Sequence, residues 1–227
     1  MLALLSPSQL ATVCHLCGDS GEHNIPNLCN ECLKDIPFED IGSSGCNACG
    51  SLSETETAAG YRPLYDSSLS VVRYERPVDI LFNRLKHHRD ITVAATFANL
   101  LAKKIVASKA ELPDVIVPIP LNWKRQLMRG FNQSQCIAVI LASKLGVKID
   151  TTALTRVTSN VPQQGLSRKE RLKNLDRCFE ADKSVRNKKV ALLDDVITTG
   201  ATMQAAATAL YIRGTSKIFA WSVARTP

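Results

Sequence analysis

Two aspartates stand side by side at Asp194 and Asp195, after the apolar run Val190 to Leu193 and before the turn-forming stretch Val196 to Thr202. Adjacent carboxylates repel one another and are costly beside a core, so a purely structural role needs a partner for each. As a pair they suit a vicinal diol or a hydrated magnesium ion. Thr198, Thr199, Gly200, Ala201 and Thr202 follow with hydroxyls and a glycine-assisted turn. The backbone N–H groups of such a turn converge at the start of the next helix and make a nest for phosphate. A diol and a phosphate separated by roughly one turn of helix, about 5 Å, describe a ribose 5-phosphate.

An apolar strand ending in aspartates also fits the magnesium-holding strand of a P-loop NTPase. That alternative needs a glycine followed by Lys-Ser or Lys-Thr upstream, and the sequence has none. A G-x-G-x-x-G dinucleotide loop is likewise absent, so both nucleotide-fold readings fall.

A second chemistry lies in the first fifty residues, where Cys14/Cys17, Cys29/Cys32 and Cys46/Cys49 form three Cys-x-x-Cys pairs. The two-residue spacer lets both thiolates of a pair face one ion, and two pairs complete the tetrahedral set that zinc prefers. Only eleven residues separate Cys17 from Cys29, so the shortest loop joins Cys14, Cys17, Cys29 and Cys32 on one zinc. A site closed by four cysteines has no open position, and its expected role is to fold a short segment. Cys136 and Cys178, in apolar surroundings, read as core residues.

The elements that must position these groups follow from the remaining chain. With 227 residues, 45% of them hydrophobic, the protein has room for one sizeable domain and a small appendage. No apolar run reaches the ~20 residues that span a bilayer, and the N-terminus has neither a basic region nor a small-residue cleavage site. A cytoplasmic location is therefore expected, where thiols stay reduced and serve metals before disulfides. Strands are expected over Ser70 to Tyr74, Asp114 to Val117, Val147 to Ile149, Val190 to Leu193 and Ile218 to Val223. Helices are expected over Val78 to Lys86, Ile91 to Ala107, Phe131 to Leu145 and Ala201 to Arg213. Alternating elements with unalternating apolar strands indicate an α/β fold, a parallel sheet flanked by helices. Ligands of such sheets bind beyond the carboxyl ends of the strands, where Asp194 and Asp195 are expected. The divisions are a Cys-rich zinc finger over 1–50, a polar linker over 51–60 and the α/β domain over 61–227.

The stretch VALLDDVITTGAT resembles, without a gap, the phosphoribosyl pyrophosphate (PRPP) signature of type I phosphoribosyltransferases. With the cysteine-rich N-terminus, LKHHRD, VPIPLNWKRQLMRGFNQSQ and RVTSNVPQQGLSRKERLKNLDRCF, the whole chain resembles the ComF/GntX family of competence-related proteins. The resemblance implies a cytoplasmic zinc-finger protein with a type I phosphoribosyltransferase-like domain, acting in natural transformation or in the use of external DNA. It makes Asp194 and Asp195 the pair on the ribose hydroxyls and Thr198 to Thr202 the 5-phosphate loop. It makes Lys124, Arg125 and Arg129 the charges of the pyrophosphate loop, with magnesium accompanying PRPP. A fourth Cys-x-x-Cys expected between Cys49 and Tyr61 is missing, which argues against a second zinc at Cys46 and Cys49. Alternatives stay open: a phosphoribosyltransferase with an unidentified small-molecule acceptor, or an adaptor docking a helicase or DNA-uptake protein.

The net charge of +7 favours polyanions. The surplus is concentrated between Leu121 and Lys189, where SRKERLKN, with Arg168, Lys169 and Arg171, reads either as a solvated helix face or as contact for single-stranded DNA. Trp123 and Phe131 flank Lys124, Arg125 and Arg129, a mixture that suits stacking on unpaired bases. His87 and His88 beside Arg89 read as exposed residues at a helix end. Lys86 is given no catalytic role, and Gln163 and Gln164 belong to a polar loop that either closes over the ligand or is simply mobile.

Overall fold

The computed structural model describes residues 13–20, 24–39, 64–122, 127–157 and 178–226. Its centre is a five-stranded sheet of β1 (Ser67–Arg73), β2 (Val115–Pro118), β3 (Lys148–Ile149), β6 (Lys189–Ile197) and β7 (Lys217–Arg225). The order is β1-β7-β6-β2-β3 and every pairing is parallel. A separate antiparallel pair, β4 (Leu154–Arg156) with β5 (Phe179–Ala181), stands beside it. Strands this short leave no period to read, which is why the sequence did not announce that pair.

Each central strand is apolar on both sides, and its residues divide by parity between two cores. Ala191 and Leu193 of β6 and Phe219, Trp221 and Val223 of β7 face α2 (Val78–His87), α3 (Thr92–Ala107) and α4 (Gln133–Leu145). Val190, Leu192, Ile218 and Ala220 face α5 (Ala201–Ile212) and the β4–β5 pair. The helices form because their apolar residues fall on one stripe: in α2, Val78, Leu81, Phe82 and Leu85 are all buried. α4 begins at Asn132, whose side chain accepts from the Ser134 N–H, and ends at Gly146 in the left-handed conformation that a helix C-terminus favours.

The N-terminal segment packs directly on the first core. Cys14, Ile25, Leu28, Cys29 and Ile36 belong to the same buried cluster as Val71, Phe82 and Phe97. Its last residues close the sheet edge: Glu39 N–H donates to Val71 O at 2.9 Å, and Arg73 N–H donates to Pro37 O at 2.9 Å. That backbone pairing covers β1, which would otherwise expose an unpaired edge. The short helix α1 (Asn30–Lys34) starts on Cys29, whose sulfur accepts from Cys32 N–H.

Phe97 lies at the centre of this face with its ring centroid 4.5 Å from that of Phe82. Phe97→Ala leaves a cavity there, and a loss of about 3–5 kcal/mol is expected. A urea titration checks this, with a lower midpoint and an unchanged slope as the expected result.

One boundary differs from the sequence reading in a way that matters. β6 does not stop at Leu193 but runs through both aspartates to Ile197, pairing with β7 at Asp194↔Ser222 and Val196↔Ala224. On its other side β2 pairs only as far as Pro118↔Leu193. Asp194 and Asp195 therefore lie within a strand on one side and beyond a strand end on the other. The remaining boundaries move by three residues or fewer, as β1 and β7 do.

Candidate functional site

The pairing of β2 with β6 ends just before the two aspartates, and the first turn of α4 reaches Asp194 beyond that point. Ser134 Oγ donates to Asp194 Oδ1 at 3.1 Å, and the Asp195 N–H donates to the same oxygen at 2.9 Å. Burial first, and the neighbouring Asp195 charge second, push the Asp194 carboxyl up to about 7. Asp195 is held differently: its Oδ1 accepts from Val196 N–H at 2.8 Å, and its Oδ2 lies 3.0 Å from Lys86 Nζ. The two carboxylates thus differ in environment, one beside a hydroxyl and one beside a cation.

Immediately after β6, Thr198 and Thr199 are exposed, and Gly200 turns the chain at φ 72° into α5. A residue with a side chain is strained at that angle, which explains the glycine. No side chain caps this helix at Gly200; the nearest local contact is Ala201 N–H to Thr199 Oγ1, at 3.4 Å. The start of α5, including Ala201 and Thr202, consequently presents backbone donors and the positive end of a twelve-residue helix.

The third side comes from the segment before α4. Arg129 Nη1 donates to Gln133 Oε1 at 3.3 Å, one residue from the Ser134 that meets Asp194. Gln133 is fully buried, and its Nε2 has no hydrogen-bond partner among the described residues. Asn132 Nδ2 donates to Ile119 O at 3.0 Å, which ties the start of α4 to the chain leaving β2. Of the sequence-predicted cations, Arg129 is described, and it is bonded to Gln133 of α4. Lys124 and Arg125 lie outside the described residues, as do Trp123, Gln163, Gln164, Arg168, Lys169 and Arg171.

Lys86 is the functional-looking residue that sequence reasoning missed. Lys86, from the last turn of α2, meets Asp195 from the layer of helices on this face of the sheet. The ammonium lies 4.9 Å from the Phe82 ring centroid and 6.0 Å from that of Tyr74. One signal was present in the sequence: Lys86 follows Phe82 by four residues and Leu85 by one, on the margin of the buried stripe.

The second cluster is as compact as its spacing implies. The sulfurs of Cys14, Cys17, Cys29 and Cys32 all lie within 4.8 Å of one another, and Cys17 Sγ is 3.7 Å from Cys29 Sγ. Four thiolates on one zinc at the usual bond length stand about 3.8 Å apart, so the set could hold such an ion. Backbone N–H groups of Leu16, Asp19 and Cys32 point at the sulfurs of Cys14, Cys17 and Cys29. Burial pushes the Cys14 thiol up, but hydrogen bonds from the backbone of Cys17, Cys29 and Leu16 outweigh it and bring it down to about 6. Burial and the neighbouring sulfurs push Cys32 well above its ordinary value. A bound cation would relieve that crowding of thiolates and displace the remaining protons. Cys136 and Cys178 are half-buried at the margins of the two cores, and Cys46 and Cys49 lie outside the described residues.

Residues 93–226 match the model of the phosphoribosyl transferase domain family. The DNA utilization protein YhgH of Salmonella typhimurium is 34% identical over 168 residues, covering 72% of this chain and 74% of that protein. Competence protein F of Haemophilus influenzae is 32% identical over 212 residues, 87% of this chain and 90% of its own. The chain belongs to the ComF family, with a phosphoribosyltransferase domain. Among solved structures, the glutamine PRPP amidotransferase of B. subtilis overlaps 58% of this ComF-family chain and 27% of its own, at 21% identity and a TM-score of 0.42. The aspartate pair, the turn into α5 and Arg129 lie inside the matched phosphoribosyl transferase domain; Lys86 and the cysteine cluster precede it. Among the described residues of this ComF protein, no helix is long and apolar enough to cross a membrane.

Proposed function

We propose that this protein binds Mg·PRPP between the β6 aspartates and the turn into α5, and that this binding serves the handling of incoming single-stranded DNA during natural transformation. The observation that carries the reading is the convergence of Asp194, Asp195 and the uncapped start of α5 on one strand end. Ribose hydroxyls can donate to the two carboxylates while the 5-phosphate accepts from the backbone of Thr199 to Thr202. Arg129, just ahead of α4, would supply a cation for the leaving pyrophosphate. The names of the similar proteins, a DNA utilization protein and a competence protein, support the DNA-related role.

The same arrangement suits phosphoribosyl transfer. As the bond from ribose C1 to pyrophosphate loosens, positive charge grows on the ring, and fixed carboxylates near the hydroxyls stabilise it. The oxygen donors at the strand end fit a hard cation; magnesium bound with PRPP would supply charge neutralisation on the leaving group. The four-cysteine cluster is proposed as a structural zinc site that folds the N-terminal segment against α2, α3 and β1.

Calorimetric titration of Mg·PRPP into the metal-loaded protein tests the reading, with micromolar binding, roughly −8 kcal/mol, as the expected result. Pyrophosphate released by the same sample identifies a transferase; tight binding of a single-stranded oligonucleotide with a steep salt dependence identifies the DNA role. A folded protein that takes up neither PRPP nor oligonucleotide overturns it.

A further inference from the structure

Lys86 is the only cation within ion-pair distance of either aspartate among the described residues, and its surroundings are unusual for a simple surface bridge. Its side chain is 18% exposed and that of Asp195 is 16% exposed, so both charges have given up much of their water. A pair desolvated to that degree contributes little net stability, because the lost hydration offsets the attraction. One side of the ammonium is turned to the rings of Phe82 and Tyr74, and Phe82 is itself fixed against Phe97. An ammonium has three donors. Asp195 is the only acceptor in contact with it among the described residues, which leaves donor capacity beside the aspartate pair.

We propose that Lys86 is a ligand-contacting residue, whose ammonium binds the pyrophosphate oxygens of PRPP while remaining beside Asp195. The proposal rests on the PRPP reading of the site. Two carboxylates repel a ligand that carries several negative charges of its own, so the pocket needs fixed cations where the phosphates enter. Lys86 answers that need in two ways: it offsets the Asp195 charge, and it offers donors to the ligand. The rings beneath it limit the positions of the ammonium, so little freedom is lost when the ligand arrives. Lys86 also lies ahead of residues 93–226, on a helix that the matched domain does not include. Pyrophosphate recognition in this chain therefore draws on α2 as well as on the segment before α4.

The alternative is a latch that only ties α2 to β6, and substitution separates the two. Lys86→Met keeps the stem on the rings and removes the charge; Lys86→Arg restores a charge. The full-length, metal-loaded proteins are titrated with Mg·PRPP and, separately, with ribose 5-phosphate, which lacks the pyrophosphate. Loss of a charged hydrogen bond is expected to weaken PRPP binding roughly 10- to 100-fold in Lys86→Met. Ribose 5-phosphate is expected to change less than about threefold, as suits a contact it does not make. Lys86→Arg is expected to recover part of the PRPP affinity. Equal losses for the two ligands, or no loss for either, would reduce Lys86 to a latch and overturn the proposal. Wild-type protein that binds ribose 5-phosphate but not PRPP also overturns it; wild type that binds neither removes the PRPP reading itself.

Discussion

Asp194→Asn is expected to make the protein more stable and less able to bind its ligand, with both effects growing as the pH rises through about 7. The cause is the placement of the carboxyl, which burial and the charge of Asp195 push up to about 7. Its folded value lies above the unfolded one, so the neutral form is the one the fold accommodates. That accommodation is fully present below about pH 4, the ordinary carboxyl range, and is lost as the pH climbs to the folded value. An asparagine never ionises and escapes the loss. At pH 8 the variant is expected to gain on the order of 2 kcal/mol, or roughly 4–8 °C in Tm for a chain of this size. Below pH 4 the difference should vanish.

Binding moves the other way, because a carboxylate accepts from ribose hydroxyls more strongly than an amide does. Mg·PRPP affinity is expected to fall roughly 10- to 100-fold in Asp194→Asn and at least about 100-fold when Asp195→Asn is added. The phosphates of the ligand also titrate near neutrality, so the informative quantity is the difference between wild-type and Asp194→Asn pH profiles. That difference should widen from pH 6 to pH 8. A variant that binds PRPP like wild type would remove the aspartate from the site; one that is less stable than wild type at pH 8 would show that its charge is well solvated. A gain in stability with a loss of binding is the usual mark of a group kept for function against the preference of the fold.

How much of this was legible in the sequence depended on how local each signal was. The cysteine set could be read because both halves of the ligand geometry are written in two-residue spacers. The aspartate pair and the turn at Gly200 were equally plain, since β6, the turn and α5 are contiguous. Ser134 and Lys86 were not, for their partners are supplied by the sheet: Ser134 meets Asp194 across sixty residues of chain, and Lys86 meets Asp195 from another layer. Nothing in LKHHRD says which side chain will face a strand far downstream. The extension of β6 to Ile197 was hidden for a related reason. Its hydrogen bonds past Leu193 go to β7 alone, and no period in Asp-Asp-Val-Ile announces a strand paired on one side.

Removal of metal from the cysteine cluster is expected to do more than unfold a short appendage. The segment has little core of its own; Cys14, Ile25, Leu28 and Cys29 are buried against α2, α3 and β1. Arg84 of α2 donates to His15 O at 2.9 Å while also gripping Asp90 at 2.8 Å, and Thr96 Oγ1 of α3 donates to Pro26 O at 2.7 Å. Lys104 Nζ reaches Glu39 O, and the edge of β1 is covered by the same stretch. Without a cation, four sulfurs sit within 4.8 Å of one another with no shared counter-charge to hold them there. Opening uncovers the sheet edge and breaks the Arg84 contact, two residues from the lysine that meets Asp195. Cys29→Ser, or chelation of the wild type, is therefore expected to cost about 3–5 kcal/mol, a fall in Tm of roughly 6–20 °C. Metal analysis should give one equivalent per chain in the wild type and much less than one in the variant. Protein that keeps its Tm after complete loss of metal would show that packing on α2 and α3 holds the segment without the ion.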